Sequence, residues 1–133
     1  MSTLVDSNVL IDVLSEDARW FEWSAQALAR AAEHGTLAIN PIIYAEVGIG
    51  YATPAQIDAV LHTDRFARLA LPFAAGFVAG RVFLTYRRRD GARQSPLPDF
   101  YIGAHALVEG HTLLTRDPAR YRTYFPKLKL ICP

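Results

Sequence analysis

The chain has 133 residues, of which 51% are hydrophobic and 20% are charged. This length suits one domain, and the composition excludes an intrinsically disordered chain. The single cysteine, Cys132, excludes an internal disulfide and zinc sites that need two or more cysteines. Because the sequence has no apolar stretch long enough for a membrane span and no basic signal-peptide start, we expect a cytoplasmic protein without a membrane partner. The 14 basic and 13 acidic residues give a net charge of +1, which by itself argues against a nucleic-acid partner.

Apolar patterns along the chain predict strands that alternate with helices. In the first half of the chain we predict a strand at 3–5, a helix start at 7–11, a helix over about 17–33 and a strand at 37–39, followed by helices at Pro41 and Pro54 with Asn40 and Thr53 before them. Next come a strand near 66–71, a helix from Pro72 to Arg89 and a loop over 90–97. The last predicted elements are a helix from Pro98 to Gly110, a strand at 112–115, a short helix after Asp117 and a strand over 128–131. The phenylalanines between positions 73 and 83 are predicted to be core residues. The alternation indicates an α/β fold: one domain over residues 1–133, with a parallel sheet of about five strands and helices on both faces.

Four of the acidic residues lie where a ligand site is expected. Asp6 and Asp117 follow predicted strands, Asp99 starts a helix, and Glu46 lies on an apolar helical stripe. Ligands of open α/β sheets bind beyond the carboxyl ends of the strands. Carboxylate clusters without nitrogen or sulfur ligands select Mg²⁺ or Mn²⁺, which lower the pKa of bound water and stabilise the leaving oxygen of a phosphodiester. The pattern therefore favours metal-dependent phosphodiester hydrolysis.

Each of these acids also has a structural interpretation. An aspartate at a helix N-terminus commonly caps free backbone amides, so capping alone is an equal alternative for Asp6, Asp99 and Asp117. A carboxylate on a core-facing stripe is costly unless it is paired or binds a metal, so an arginine partner is an alternative for Glu46. The four histidines are better explained as structural residues.

The chain as a whole resembles the PIN domains, and within them the VapC-type toxins of prokaryotic toxin–antitoxin pairs. Four short motifs occur in the family's order along a chain of the right size. They are Val5-Asp6-Ser7-Asn8-Val9-Leu10, Ile43-Tyr44-Ala45-Glu46-Val47, Pro98-Asp99-Phe100-Tyr101-Ile102-Gly103-Ala104-His105-Ala106 and Leu114-Thr115-Arg116-Asp117.

The resemblance implies a Mg²⁺- or Mn²⁺-dependent endoribonuclease that cuts structured RNA, tRNA or rRNA, and so arrests translation. It also implies inhibition by a small cognate antitoxin, and a homodimer. Carried onto this sequence, the catalytic and metal-binding acids are Asp6, Glu46, Asp99 and Asp117, with Asn8 and Thr115 as secondary polar contacts to the metal or its waters. Many family members read Thr-x-Asn-x-x-Asp-Phe in the last motif, whereas this chain has Asp117 and Arg120 at the second and third of those polar positions.

The basic residues are concentrated near the acids in sequence. All but two of the 14 are arginine, the exceptions being Lys127 and Lys129. Arginines of this kind can hold RNA phosphates, although a solvated helix end is the simpler alternative for those after position 86. The candidate phosphate contacts are Arg87, Arg88, Arg89, Arg93, Arg116 and Arg120.

Two other functions fit parts of the pattern. One is a non-catalytic PIN-like binding module whose carboxylates hold an arginine of a partner protein. The other is an aspartyl-phosphate phosphatase or dehalogenase, in which Asp6 would be the nucleophile. That chemistry needs a second acid at the position of Asn8 and a lysine in mid-chain, which the sequence lacks.

Overall fold

The structure, a computed structural model, describes residues 2–90 and 96–133. Five strands and seven helices lie in these ranges. The strands are β1 (Ser2–Val5), β2 (Thr36–Ile39), β3 (Phe66–Arg68), β4 (Thr112–Leu114) and β5 (Leu130–Ile131). The helices are α1 (Ser7–Leu14), α2 (Phe21–His34), α3 (Pro41–Gly48), α4 (Pro54–Val60), α5 (Phe73–Asp90), α6 (Leu97–Glu109) and α7 (Ala119–Tyr124).

The strands form one parallel sheet in the order β3-β2-β1-β4-β5. Successive residues of a strand point to opposite faces, and both Leu4 and Val5 of the central strand are 0% exposed. Both faces are therefore covered, which confirms the predicted α/β architecture. Val5 lies opposite Leu114, so the carboxyl ends of β1 and β4 meet at one point of the sheet edge.

Three predicted elements begin or end at least two residues from the predicted position, and residues 91–95 of the predicted loop lie outside the described residues. The helix predicted from about residue 17 begins at Phe21, because the Asp17 carboxylate accepts the backbone N–H groups of Arg19 and Trp20 and holds a turn there. The strand predicted to reach residue 71 ends at Arg68, opposite Ile39, the last residue of the neighbouring strand β2. The last strand begins at Leu130 rather than at 128, because the N–H of Leu128 donates to Phe125 in a turn.

Helix α5 packs through small residues. The prediction that its phenylalanines are core residues is wrong for Phe73 and Phe77, which are 99% and 69% exposed. The buried face contains Ala75 and Ala79 instead, and small side chains let α5 approach α6 closely. Phe83 does pack on the core, beside Phe100.

An aromatic cluster packs together the three helices that border the site. The Phe100 ring lies 5.2 to 6.4 Å, between centroids, from its neighbours and joins α5, α6 and α7; these neighbours are Phe83, Tyr86, Tyr124 and Phe125. Asp99 precedes Phe100 in the chain, so this packing sets the position of the Asp99 carboxylate. In the described ranges, no helix is both long enough and apolar enough to cross a membrane.

Candidate active site

Asp6 lies at the carboxyl end of the central strand, and three side chains donate hydrogen bonds to its carboxylate. Its side chain is buried, and its Oδ2 accepts from Thr115 Oγ1 at 2.9 Å, from the Tyr121 hydroxyl at 2.9 Å and from Asn8 Nδ2 at 3.4 Å. The carboxylate makes no capping bond to α1, although it directly precedes that helix. The capping alternative is therefore wrong for Asp6.

Asn8 and Thr115, the predicted secondary polar residues, link the start of α1 to the end of β4. Asn8 Nδ2 donates to Thr115 Oγ1 at 3.2 Å, and Asn8 Oδ1 accepts the backbone N–H of Arg116 at 3.2 Å. The backbone N–H of Asp117 donates to Thr115 Oγ1 at 3.2 Å. These bonds hold the Asp117 segment beside Asp6.

Asp99 and Asp117 border the same cleft as Asp6. The cleft has a volume of about 460 Å³. Its lining combines acidic, basic, aromatic and small polar residues: Asp6, Asn8, Asp99, Asp117, Tyr86, Arg89, Ala119, Arg120, Tyr121, Thr123 and Tyr124. Asp99 lies in the first turn of α6, but its carboxylate accepts from Arg120 Nη1 at 2.7 Å. The N-cap positions of α6 and α7 are Pro96 and Pro118, and neither helix has a side-chain capping hydrogen bond. Neither Asp99 nor Asp117 is therefore the cap of its helix.

Glu46 lies at the border of this cluster. It is half-buried on α3, and its Oε1 accepts from Ser7 Oγ at 2.8 Å. Within the described part of the chain no arginine forms an ion pair with it, so the predicted arginine alternative is not observed there. Its side chain lines a separate apolar groove of about 520 Å³ beside Ile11 and Ile49. The structure thus brings Asp6, Asp99 and Asp117 into one cleft and joins Glu46 to them through Ser7, which follows Asp6 in the chain.

The acids act on one another electrostatically. Burial raises the pKa of Asp6 to about 6, and the charge of Asp99 adds to this, while hydrogen bonds from Thr115 and Tyr121 oppose it. Burial also raises the pKa of Asp99, against the effect of the Arg120 guanidinium, and raises the pKa of Glu46. Burial and the charge of Asp6 raise the pKa of the Tyr121 phenol well above its usual value, which keeps it a proton donor. The cleft is a concentrated negative site that a cation would stabilise.

The donor set fits a hard divalent cation. The residues that could hold one in this cleft are Asp6, Asp99 and Asp117, whose oxygen ligands suit Mg²⁺ and Mn²⁺. The three carboxylates do not bring one oxygen each within 4.8 Å of one another. In the described ranges, the only three side chains whose potential ligand atoms lie that close together are His105, Glu109 and His111. The acid cleft therefore has the chemistry of a metal site in an open arrangement.

The contacts of the His105 group are those of a structural cluster: His111 directly precedes β4, whereas Asn40, which contacts His105, directly follows β2. Asn40 Oδ1 accepts the backbone N–H of Ile43, so Asn40 Nδ2 faces His105 Nδ1 at 3.0 Å and donates to it. His105 Nε2 must then carry the proton, which it donates to Glu109 at 2.9 Å. A metal ligand needs a free lone pair at that nitrogen, so this tautomer opposes metal binding. The expectation that His105 is structural agrees with these contacts.

The predicted phosphate-binding arginines differ in their surroundings. Arg116 Nε donates to Asp12 Oδ2 at 2.8 Å, and its guanidinium lies 5.5 Å from the centroid of the Trp20 ring. Arg120 is paired with Asp99, and the Arg89 guanidinium lies 5.9 Å from the centroid of the Tyr124 ring at the cleft. The side chains of Arg87 and Arg88 are exposed on α5, while Arg93 lies outside the described residues.

Sequence reasoning missed Tyr121, Ser7 and Asp12. Asp12 is buried and holds both Arg116 and the Ser24 hydroxyl, each at 2.8 Å. Its signal was available, since it is an acid inside the apolar run of 9–14, the same pattern that singled out Glu46. Tyr121 and Ser7 gave no comparable signal, because their contacts depend on the folded sheet edge.

Several solved structures share the fold of this chain. Three similar solved structures are VapBC2 from Rickettsia felis bound to a DNA fragment from their promoter, VapBC-1 from nontypeable Haemophilus influenzae, and a toxin–antitoxin complex from Klebsiella pneumoniae. Their sequence identities to this chain are 20%, 19% and 22%, and their TM-scores are 0.75, 0.73 and 0.68. The alignments cover 99%, 99% and 97% of this chain and 98%, 98% and 95% of the respective neighbours. No curated protein sequence matches significantly.

The family comparison covers nearly the whole chain. A model described as PIN domain matches residues 3–126, a range that contains all four candidate acids. The solved structures share the fold of this chain, as expected for that match. The chain belongs to the PIN domain family.

Proposed function

We propose that this protein is a Mg²⁺- or Mn²⁺-dependent endoribonuclease and the toxin of a toxin–antitoxin pair. The observation that carries the proposal is the convergence of Asp6, Asp99 and Asp117 on one cleft, beside two arginines. The three carboxylates would bind the divalent cation, and the two arginines would attract the RNA phosphates to an otherwise acidic site. Membership of the PIN domain family also disfavours the aspartyl-phosphate alternative.

The residues of the cleft have distinct roles in this proposal. Asp6, Asp99 and Asp117 hold the divalent cation, which supplies an activated water and stabilises the leaving oxygen when bound. Thr115 and Tyr121 donate to Oδ2 of Asp6 and so orient its other oxygen, Oδ1, for a ligand. Glu46, fixed by Ser7, adds negative charge at the border of the site and accepts a proton from water.

Structured RNA, such as tRNA or rRNA, is the proposed substrate. Arg89 and Arg120 line the cleft, and in this proposal they contact phosphates of the bound RNA. Arg87 and Arg88 extend the positive surface along α5. Contacts to phosphate position RNA without selecting its sequence, and they weaken as salt concentration rises.

A small antitoxin is the proposed protein partner, in the cytoplasm, with the toxin as a homodimer. One of the similar structures is described as a toxin–antitoxin complex. The groove beside Glu46 is apolar and about 520 Å³ in volume, and Ile49 on its wall is 86% exposed. An apolar segment of an antitoxin would cover this groove, and an arginine of the partner would pair with the acids beyond it.

Metal dependence provides the test of the enzymatic proposal. Purified protein is incubated with total RNA in EDTA, and then with excess Mg²⁺ or Mn²⁺. We expect discrete cleavage products only when the metal is present, and their loss when a purified antitoxin is added. Cleavage that persists in EDTA contradicts the mechanism, and RNA or partner binding without metal-dependent turnover favours the non-catalytic binding module.

A further inference from the structure

Arg120 binds one of the acids that the proposed reaction needs. Its Nη1 lies 2.7 Å from Asp99 Oδ2, and the two side chains are 35% and 33% exposed. The pair therefore lies at the accessible side of the cleft. Both residues belong to its lining, so the guanidinium is already inside the space that a substrate would enter.

Asp99 borders the same cleft as Asp6 and Asp117. Burial is the main cause of the raised pKa values of Asp6, Glu46 and Tyr121, and the negative charge of Asp99 adds to each of them. A cation on Asp99 therefore changes the potential of the whole site. Because the guanidinium covers a carboxylate oxygen that a divalent cation would use, the two cations compete for the same ligand.

Arg116, four residues before Arg120, differs from it in how firmly its guanidinium is held. Arg116 is held by the buried Asp12 and lies over the Trp20 ring, so its guanidinium is fixed away from the cleft. Arg120 has a partly exposed partner and a long side chain that can rotate within the cleft. Of these two arginines, Arg120 is the one that can exchange partners.

We propose that Arg120 is an internal counter-ion that competes with the divalent cation for Asp99 and, once displaced, binds the substrate phosphate. The phosphate contact rests on the proposed RNA cleavage, whereas the competition for Asp99 does not. A guanidinium binds carboxylate and phosphate with the same planar geometry, so the exchange keeps its hydrogen bonds satisfied. Arg120 thereby sets the metal affinity of the free enzyme and positions RNA in the loaded one.

Mn²⁺ binding measures the competition without any catalytic readout. The wild type is compared with Arg120→Gln and with Arg122→Gln, an exposed arginine of the same helix whose Nη2 donates to Cys132. Free Mn²⁺ is followed by electron paramagnetic resonance at fixed ionic strength. We expect Arg120→Gln to bind Mn²⁺ about two- to fivefold more tightly, the range for a partly exposed ion pair, and Arg122→Gln to bind like the wild type. Unchanged or weaker binding by Arg120→Gln, or an equal gain in Arg122→Gln, overturns the proposal.

The phosphate contact is measured by RNA cleavage at saturating Mn²⁺. Arg120→Gln should raise KM for RNA severalfold and lower the salt dependence of kcat/KM by about one charge, while Arg120→Lys retains part of the affinity. A KM and a salt dependence equal to those of the wild type contradict this half of the proposal. If the wild type does not cleave RNA with metal, the proposed function fails, whereas the Mn²⁺ comparison still decides whether Arg120 competes for Asp99.

Discussion

The hydroxyl of Tyr121 donates to Asp6 Oδ2 at 2.9 Å, and both side chains are buried. This bond joins α7 to the end of the central strand across 115 positions of sequence. Thr115 donates to the same oxygen, so the carboxylate is fixed from two directions before any ligand binds. The orientation of Asp6 is therefore built into the fold.

Substitution Tyr121→Phe removes one of these donors and keeps the ring. We expect a loss of about 1 to 2 kcal/mol in the free energy of unfolding, because a buried hydrogen bond to a charged group is lost. RNA cleavage should fall as well, since Asp6 is less well oriented. Denaturant unfolding and single-turnover cleavage measure the two effects. Tyr44→Phe, which removes a hydroxyl that donates to the exposed Asp58, is the control and should change stability by less than about 0.5 kcal/mol.

Substitution Asp6→Asn should stabilise the metal-free protein. Burial and the charge of Asp99 raise the pKa of Asp6 from 3.8 to about 6, so the folded state binds its proton more tightly than the unfolded state. Ionised Asp6 therefore costs stability above pH 6, and this cost disappears as pH falls towards 4. In EDTA at pH 7.5 we expect Asp6→Asn to be about 1 to 3 kcal/mol more stable than the wild type, with a smaller difference at pH 4.5.

Thermal unfolding in EDTA and in Mn²⁺ measures this prediction. Added Mn²⁺ should raise the Tm of the wild type and leave that of Asp6→Asn nearly unchanged, because the variant lacks a ligand. A variant less stable than the wild type at pH 7.5 in EDTA would show that the charge of Asp6 is not a cost to the fold.

Arg116 is predicted to stabilise the fold. Substitution Arg116→Met leaves the buried Asp12 carboxylate, among the described residues, with the Ser24 hydroxyl as its side-chain partner, and we expect a loss of about 2 to 4 kcal/mol in the free energy of unfolding. Adding Asp12→Asn to this variant should restore part of the loss, because the unpaired charge is removed. Arg88→Met, on an exposed part of α5, is the control. Equal stability of the two single variants would refute the structural role of Arg116.

Two glycines of adjacent helices should respond oppositely to alanine. A Cβ at Gly103 of α6 would lie 2.7 Å from the Phe125 ring, whereas a Cβ at Gly80 of α5 meets no described atom within 4 Å. We expect Gly103→Ala to lose about 1 to 3 kcal/mol through overpacking, and Gly80→Ala to gain up to about 1 kcal/mol through helix propensity. Urea unfolding of both variants measures this, and a neutral Gly103→Ala would mean that the Phe125 ring moves aside.

The sequence was sufficient for the sheet and for the neighbourhood of the acids. Parallel strands place their carboxyl ends together, so the meeting of Asp6 with the Thr115 segment follows from the strand assignment alone. The burial of Glu46 beside Ser7 was not predictable in the same way, since it depends on how α3 packs against α1. The pairing of Arg120 with Asp99 likewise depends on the direction of a long side chain, which no periodicity encodes.

Helix α5 shows why apolar residues are not always core residues. Its phenylalanines suggested a buried stripe, but its fully buried residues are Ala75 and Ala79, and of the three phenylalanines only Phe83 packs on the core, beside Phe100. Close packing of two helices favours small side chains, so Phe73 and Phe77 turn outward. Sequence pattern gives the amount of apolar surface, and packing geometry decides which part of it is covered.

Single-turnover cleavage of RNA in Mg²⁺ by the wild type, Asp99→Asn and Asp58→Asn measures whether the acid cleft hydrolyses RNA. Asp99 borders the acid cleft, whereas Asp58 is an exposed acid on α4 that pairs with Arg68 and does not line the cleft. We predict that Asp99→Asn lowers the cleavage rate by about 100-fold or more, as for loss of a group that stabilises the transition state, while Asp58→Asn cleaves like the wild type. Full activity of Asp99→Asn in a folded protein would contradict the account of this cleft as the site of metal-dependent RNA hydrolysis.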